Sequence, residues 1–205
     1  MTFPSPVHLL SPASAVVAVS WAAFTIAWIV SARHEAAAPA QPRVQRRAGP
    51  RLTAALPGLL ITALAFVLAP GGLWRHLQFA NPWAHVLGLA VLASATTFTL
   101  WARLTLGTMW SAVPAVRQGH QLRTTGPYAV TRHPIYTGVL AMILGSGLVL
   151  GEGAWIVPLT VFLVLFQLKI RTEEAFMLAT FPDEYPRYRN TVPQLIPGLR
   201  PPRRP

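Results

Sequence analysis

The sequence predicts an all-α fold: a polytopic membrane protein of about five transmembrane helices, the last two forming a helical hairpin, with a cytoplasmic C-terminal segment. Three observations predict it. Only 11% of the 205 residues are charged, against about 25% in soluble domains, while 53% are hydrophobic. Apolar runs of membrane-spanning length recur five times. The basic residues lie between those runs and alternate strongly from side to side.

A spanning helix takes roughly 20 apolar residues, with a range of about 17–25. Residues 13–32 form the first such run, without a charge, and 52–69 the second. The third, 83–102, contains one histidine, His85, and the fourth is 135–151. The fifth, 154–168, is short, but its helical pattern continues past Lys169 into a charged segment, and a lysine there can reach the interface. Lys and Arg number 5 between the first two spans, 1 between the second and third, 4 between the third and fourth, and 7 after the fifth. That is 16 on one side and one on the other, so the positive-inside rule puts the N-terminus outside and the C-terminus in the cytoplasm.

The net charge of +11 therefore reads as membrane topology and not as a nucleic-acid-binding face. A soluble two-domain enzyme is excluded, because too little polar sequence remains. With no cysteine, disulfides, thiolate metal sites and cysteine nucleophiles are excluded as well. The six histidines (His8, His34, His76, His85, His120, His133) form no helical pair at ligand spacing, so no metal is expected. No cleaved signal peptide is expected, because no basic residue precedes the first apolar run. Residues 33–51 read as a flexible linker, and 193–205, with five prolines, as an extended or disordered tail. No repeat is apparent, and an odd number of spans argues against an inverted-repeat transporter. The chain reads as a single domain with no obligate protein partner evident.

Polar residues are scarce enough for their clustering to inform. Four of the six acids, Glu173, Glu174, Asp183 and Glu184, fall just after the fifth span. The other polar stretch, Gln118 to Gly138, leads into the fourth span. A short turn near 151–153 makes the fourth and fifth spans antiparallel, so the two stretches meet at one membrane edge. Proline favours the first position of a helix, so the fourth span is expected to start at Pro134, with His133 at its cap. Free N–H groups of that first turn, with Arg132 and His133, suit a carboxylate or phosphate. The bland alternative is an interfacial anchor and a polar cap. Arg171 and Glu174 share one helical face, and Lys169 and Glu173 another. Ordinary surface ion pairs would explain these, yet paired acids also suit a cationic ligand group. Together the segments offer the two halves of a zwitterion site. Gly138, Ala141 and Gly145 fall on one face of the fourth span and predict close helix packing. The seven tryptophans read as interfacial anchors.

The order Gly126-Pro-Tyr, Arg132-His-Pro-Ile-Tyr-Thr-Gly138, Arg171-Thr-Glu-Glu174, Phe181, Tyr185, Tyr188, Val192-Pro and Ile196-Pro197 resembles the isoprenylcysteine carboxyl methyltransferase family, which belongs with the phospholipid methyltransferases. The resemblance runs over 104–197 and departs at Phe181, which is followed by Pro182-Asp183 where the family has glycine. It implies S-adenosylmethionine as methyl donor, held at the cytoplasmic edge of the last two spans. By resemblance, His120 and Leu122 line the nucleoside side, and Tyr128, His133, Pro134 and Tyr136 surround the donor, with Gly126 and Arg132 in the same motif. Glu173 and Glu174 hold its ammonium or order Arg171, and a lipophilic acceptor enters from the bilayer. Arg171 would orient a carboxylate acceptor, whereas an amine or hydroxyl acceptor would lose its proton to His133 or Glu174. Two competing readings stand beside this one. The first is a sterol-reductase-like membrane enzyme using NADPH, for which the chain is short and has Glu173-Glu174 where Asp-Glu is usual. The second is a basic membrane protein without activity.

Overall fold

The computed structural model describes residues 11–37, 43–46, 55–68, 71–107, 115–117 and 122–199. Helix α1 spans Pro12–Ala37; Pro12 takes the first position and the Ser11 hydroxyl accepts the Ser14 N–H at 3.1 Å. Helix α2 is Ala55–Leu68 and α3 is Gly71–His76. Helix α4, Pro82–Leu106, is started the same way, with Asn81 Oδ1 accepting the N–H of Trp83 at 2.9 Å. A short α5, Pro127–Val130, precedes α6, Pro134–Leu150. A 3-10 turn, Gly153–Trp155, leads into α7, Ile156–Thr180, and α8 is Glu184–Thr191. Strands β1, Arg43–Arg46, and β2, Ala115–Arg117, form a small antiparallel ladder, an exception to the all-α expectation.

The five longer helices coincide with the five expected spans over the residues described. By length and composition three can cross a membrane, Pro12–His34, Pro82–Leu106 and Gly153–Thr180, while α6 is a shorter apolar helix. Many apolar side chains point outward, Trp83 and Leu104 among them, as lipid-facing residues must. Two bounds shift. The third span was expected to stop before Arg103, but α4 carries this residue inside. There its Nη1 donates to the Gly107 carbonyl at 3.2 Å, and its guanidinium lies 5.9 Å from the Trp28 ring of α1. A carbonyl past a helix C-terminus and an aromatic face both accommodate a buried cation. The fifth span continues as one helix through the charged residues to Thr180.

Loop pairings fix which ends lie together. The Phe79 N–H donates to the Gly151 carbonyl, and the Gly153 N–H to the Leu77 carbonyl, so the loop before α4 meets the turn after α6. At the other end, β1 and β2 join the segment after α1 to the segment after α4. Between the two ends runs α4, about 37 Å long at 1.5 Å per residue. This alternation is the one that the basic residues predict.

The core sits where α4 and α6 cross antiparallel, around Leu92, Ala95, Met142 and Val149, with Val17 of α1 against it. Trp21 of α1 donates its indole N–H to Ser146 on α6 at 3.1 Å. The backbones approach so closely that a Cβ at Gly145 would lie 2.8 Å from the Leu92 nitrogen, and one at Gly88 2.6 Å from the Val149 nitrogen. A Cβ at Gly138 would collide with the Thr99 hydroxyl. The expected packing face of α6 is therefore real. Gly145→Val should destabilise the helix pair by at least about 1–3 kcal/mol, because the obstacle is backbone and cannot rotate away. Thermal unfolding in detergent would measure it, and an unchanged midpoint would rule out this crossing.

Candidate active site

The turn between α6 and α7 brings the start of α6 beside the last turns of α7. Arg132 and His133 stand just before Pro134, whose ring is fully buried at the first helical position. Opposite them, Ile170 and Glu174 point inward from α7, with Glu173 and Lys169 one step round the helix. The segment after α8 then crosses over and closes the group.

Arg132 is the centre of the arrangement. Its Nε and Nη2 donate to Glu174 Oε1 at 3.0 and 2.8 Å. Its Nη1 donates to the carbonyls of Arg189 at 2.9 Å and Val192 at 2.6 Å. Glu174 Oε1 also accepts from Gln194 Nε2 at 3.3 Å and lies 3.4 Å from His133 Nε2, while Arg189 Nε is 3.8 Å from Oε2. The hydrogen bonds of Glu174 thus gather on Oε1. Glu173 is more open: Tyr136 donates its hydroxyl to Oε1 at 2.7 Å, Lys169 Nζ lies 3.7 Å from the same oxygen, and His133 Nδ1 is 3.6 Å from Oε2. The rings of His133, Tyr136 and Phe166 stack in sequence, at 5.7 and 4.5 Å between centroids.

The crossing segment is tied down by backbone bonds. The N–H groups of Arg132 and His133 donate to the carbonyls of Pro193 and Gln194, and the hydroxyls of Thr131 and Thr137 to those of Gln194 and Leu195, both at 2.6 Å. Residues 193–199, expected to begin an extended or disordered tail, therefore include an ordered strap at their start. The reason is tertiary: the strap supplies carbonyl acceptors for the Arg132 and His133 N–H groups and the Thr131 and Thr137 hydroxyls at the start of α6, about sixty residues earlier in the chain. Tyr188 anchors α8 by donating to the Tyr128 carbonyl at 2.6 Å. Burial pushes the hydroxyls of Tyr128, Tyr185 and Tyr188 above the usual tyrosine range, which keeps them protonated donors at neutral pH.

His133, Pro134, Tyr136, Glu173, Glu174 and Arg132 are brought together, and the Lys169–Glu173 pair forms as its spacing suggests. Tyr128 packs beside them through α8. Gly126 has φ +62°, a left-handed conformation that suits glycine, and starts α5 against Trp101. Leu122 is half-buried at the start of this segment, and His120 lies outside the described residues. Arg171 does not join the cluster. Its side chain is exposed, because it sits about 110° round the helix from the direction midway between Glu173 and Glu174, at 100° per residue. The basic and acidic halves, expected to hold opposite ends of a ligand, largely hold each other. Gln194 and Arg189 are additions that sequence reasoning missed; the only signal for Gln194 is a lone amide between prolines and apolar residues. At Pro182-Asp183, the expected departure after Phe181, Asp183 has φ −94° and neither residue has a positive φ, so the turn needs no left-handed residue. Among the described residues no three His, Cys, Asp or Glu side chains form a group able to hold a metal ion.

A family model for phospholipid methyltransferases matches residues 83–184, about half of the chain, from α4 to the start of α8. A protein-S-isoprenylcysteine O-methyltransferase of Schizosaccharomyces pombe is 42% identical over 81 residues, 38% of this chain and 34% of that protein. The chain belongs to the isoprenylcysteine carboxyl methyltransferase and phospholipid methyltransferase family. It is also 31% identical over 147 residues to the cobalt-zinc-cadmium resistance protein CzcN of Cupriavidus metallidurans, covering 69% of this chain and 63% of that one. The fold matches a solved structure of the eukaryotic intramembrane Ras methyltransferase ICMT, with a TM-score of 0.54 at 24% identity, over 72% of this chain and 52% of that one. The chain spans less than two thirds of the length of each of these relatives. As in that family, it is an integral membrane protein, and most of the Arg132–Glu174 cluster lies in the matched segment.

Proposed function

We propose that the chain is an S-adenosylmethionine-dependent methyltransferase acting on a lipophilic acceptor at the cytoplasmic face of a membrane, with its N-terminus outside and its C-terminus in the cytoplasm. The observation that carries this reading is the cluster of His133, Tyr136 and Glu173, built on Arg132 and Glu174 at one end of an apolar helical hairpin. It fits the donor: a partly open carboxylate and an aromatic face suit a ligand with cationic centres. When bound, the donor supplies an electrophilic methyl group. Glu173, Tyr136 and His133 would hold it, while Arg132, Glu174 and the strap keep those three side chains in place. An acceptor that is already anionic needs positioning and a dry site rather than a base. For an amine or hydroxyl acceptor, the His133 imidazole, flanked by Glu173 and Glu174, is the group to take the proton. The names of the methyltransferase relatives support methyl transfer to a lipid-like molecule, and the NADPH-reductase alternative gains no support from the family model.

The test is binding of labelled S-adenosylmethionine to detergent-purified protein, followed by a labelled-methyl screen against lipids, isoprenoids and apolar acids. Donor binding in the micromolar range is expected; binding of NADPH without donor binding would reverse the assignment. A cytoplasmic C-terminal reporter fusion should be active inside the cell, and activity only outside would overturn the orientation. Arg171 stands outside the cluster, so Arg171→Lys should leave donor affinity within about twofold of wild type, as for a residue that only anchors the helix at the interface. A large loss would return Arg171 to the site.

A further inference from the structure

We infer that Lys169 is a tethered stand-in for the sulfonium of the donor, an inference that rests on the methyltransferase reading. Its ammonium lies over the Tyr136 ring, 5.5 Å from the centroid, and 3.7 Å from Glu173 Oε1. Glu173 is held in that position by the Tyr136 hydroxyl, and the ring itself is fixed by stacking on Phe166. The result is a built cation site, an aromatic face beside a carboxylate, filled by the chain's own side chain. The site offers one aromatic face and one carboxylate, whose near oxygen also accepts the tyrosine hydroxyl. A sulfonium donates no hydrogen bond and is held by aromatic faces and negative charge alone, as other alkylated cations are. Lys169 has a flexible four-carbon stem and a partly exposed side chain, so it is able to swing out to water or lipid headgroups.

In the transfer the methyl–sulfur bond breaks with its electron pair left on sulfur, and the new bond forms from a lone pair of the acceptor. The sulfur changes from a cation to a neutral thioether. The cation site then has no ligand charge to hold, and Lys169 returns to it. Lys169 therefore acts as a positioning residue that lowers donor affinity somewhat and favours release of the demethylated product. It makes the site read the charge on sulfur.

The experiment measures the affinities of S-adenosylmethionine and of S-adenosylhomocysteine for the detergent-purified full chain by calorimetry. In Lys169→Met the donor should bind roughly three- to tenfold more tightly, because it no longer displaces an ion pair and a cation–π contact. The product should change by less than about twofold, and Lys169→Arg, which restores the cation, should restore the wild-type ratio. Lys169→Gln carries the same expectation if the methionine variant does not fold. Equal weakening of both ligands would mean that Lys169 binds their shared carboxylate, and equal tightening that it competes with their shared ammonium; either outcome overturns the inference, as does an unchanged ratio. If the wild-type protein binds neither ligand, the methyl-donor reading itself falls, a result distinct from all of these.

Discussion

Arg132→Met is expected to cost about 3–5 kcal/mol of stability and to abolish donor binding. The guanidinium is almost fully buried and so is its partner, with side-chain exposures of 6% for Arg132 and 10% for Glu174. Removing the arginine leaves a carboxylate in a site with little water, and leaves the carbonyls of Arg189 and Val192 without their donor. Each loss carries a desolvation penalty that no new contact offsets. The strap and the cap of α6 should loosen together, because the same residue donates through its backbone N–H to Pro193. Thermal unfolding in detergent reads the stability, and calorimetry reads the donor. The pair can be tested further with Arg132→Met/Glu174→Met. Replacing both partners of a buried pair by apolar groups is often close to neutral, so the double variant should regain much of the folded yield lost in the single one. It should still bind no donor. An Arg132→Met protein with wild-type stability would mean that the buried pair does not form.

Glu173→Gln should behave in the opposite way, losing donor affinity by about tenfold, or ~1.4 kcal/mol, with little change in stability. The amide oxygen still accepts the Tyr136 hydroxyl, so the ring keeps its place. What disappears is the charge that faces a cationic ligand. Glu173 is about a quarter exposed, and its pair with Lys169 joins neighbours on one helix, a kind of contact worth little to folding. Glu174→Gln, in contrast, should lose stability first, because Oε1 is the acceptor for both the arginine and Gln194. Two adjacent glutamates would then divide the work, one building the site and the other binding. If both variants lost donor affinity equally at unchanged stability, that division would be wrong.

Which element each long apolar stretch forms was legible in the sequence, whereas the short β1–β2 ladder inside and beyond the expected linker was not. The apolar runs, the prolines at helix starts such as Pro82 and Pro134, and the alternation of basic residues depend on length, backbone geometry and the cost of charge in lipid. All of these act locally or through the membrane, so no tertiary contact is needed to read them. The meeting of His133 with Glu174 was legible for a similar reason, since a short turn between antiparallel helices leaves no other place for their far ends. Arg103 escaped because hydropathy ends a span at the first charge, whereas the Gly107 carbonyl and the Trp28 ring let the helix keep it inside. Choosing between Arg132 and Arg171 as the partner of Glu174 was beyond the sequence. Both are arginines near the same edge, and spacing alone favoured Arg171, three residues away on one helix. The direction in which α7 turns its face toward α6 decided for Arg132, by burying Glu174 and leaving Arg171 outside. The strap at 192–195 was likewise settled only in three dimensions, because its order comes from donors sixty residues earlier whose need for acceptors no local pattern records.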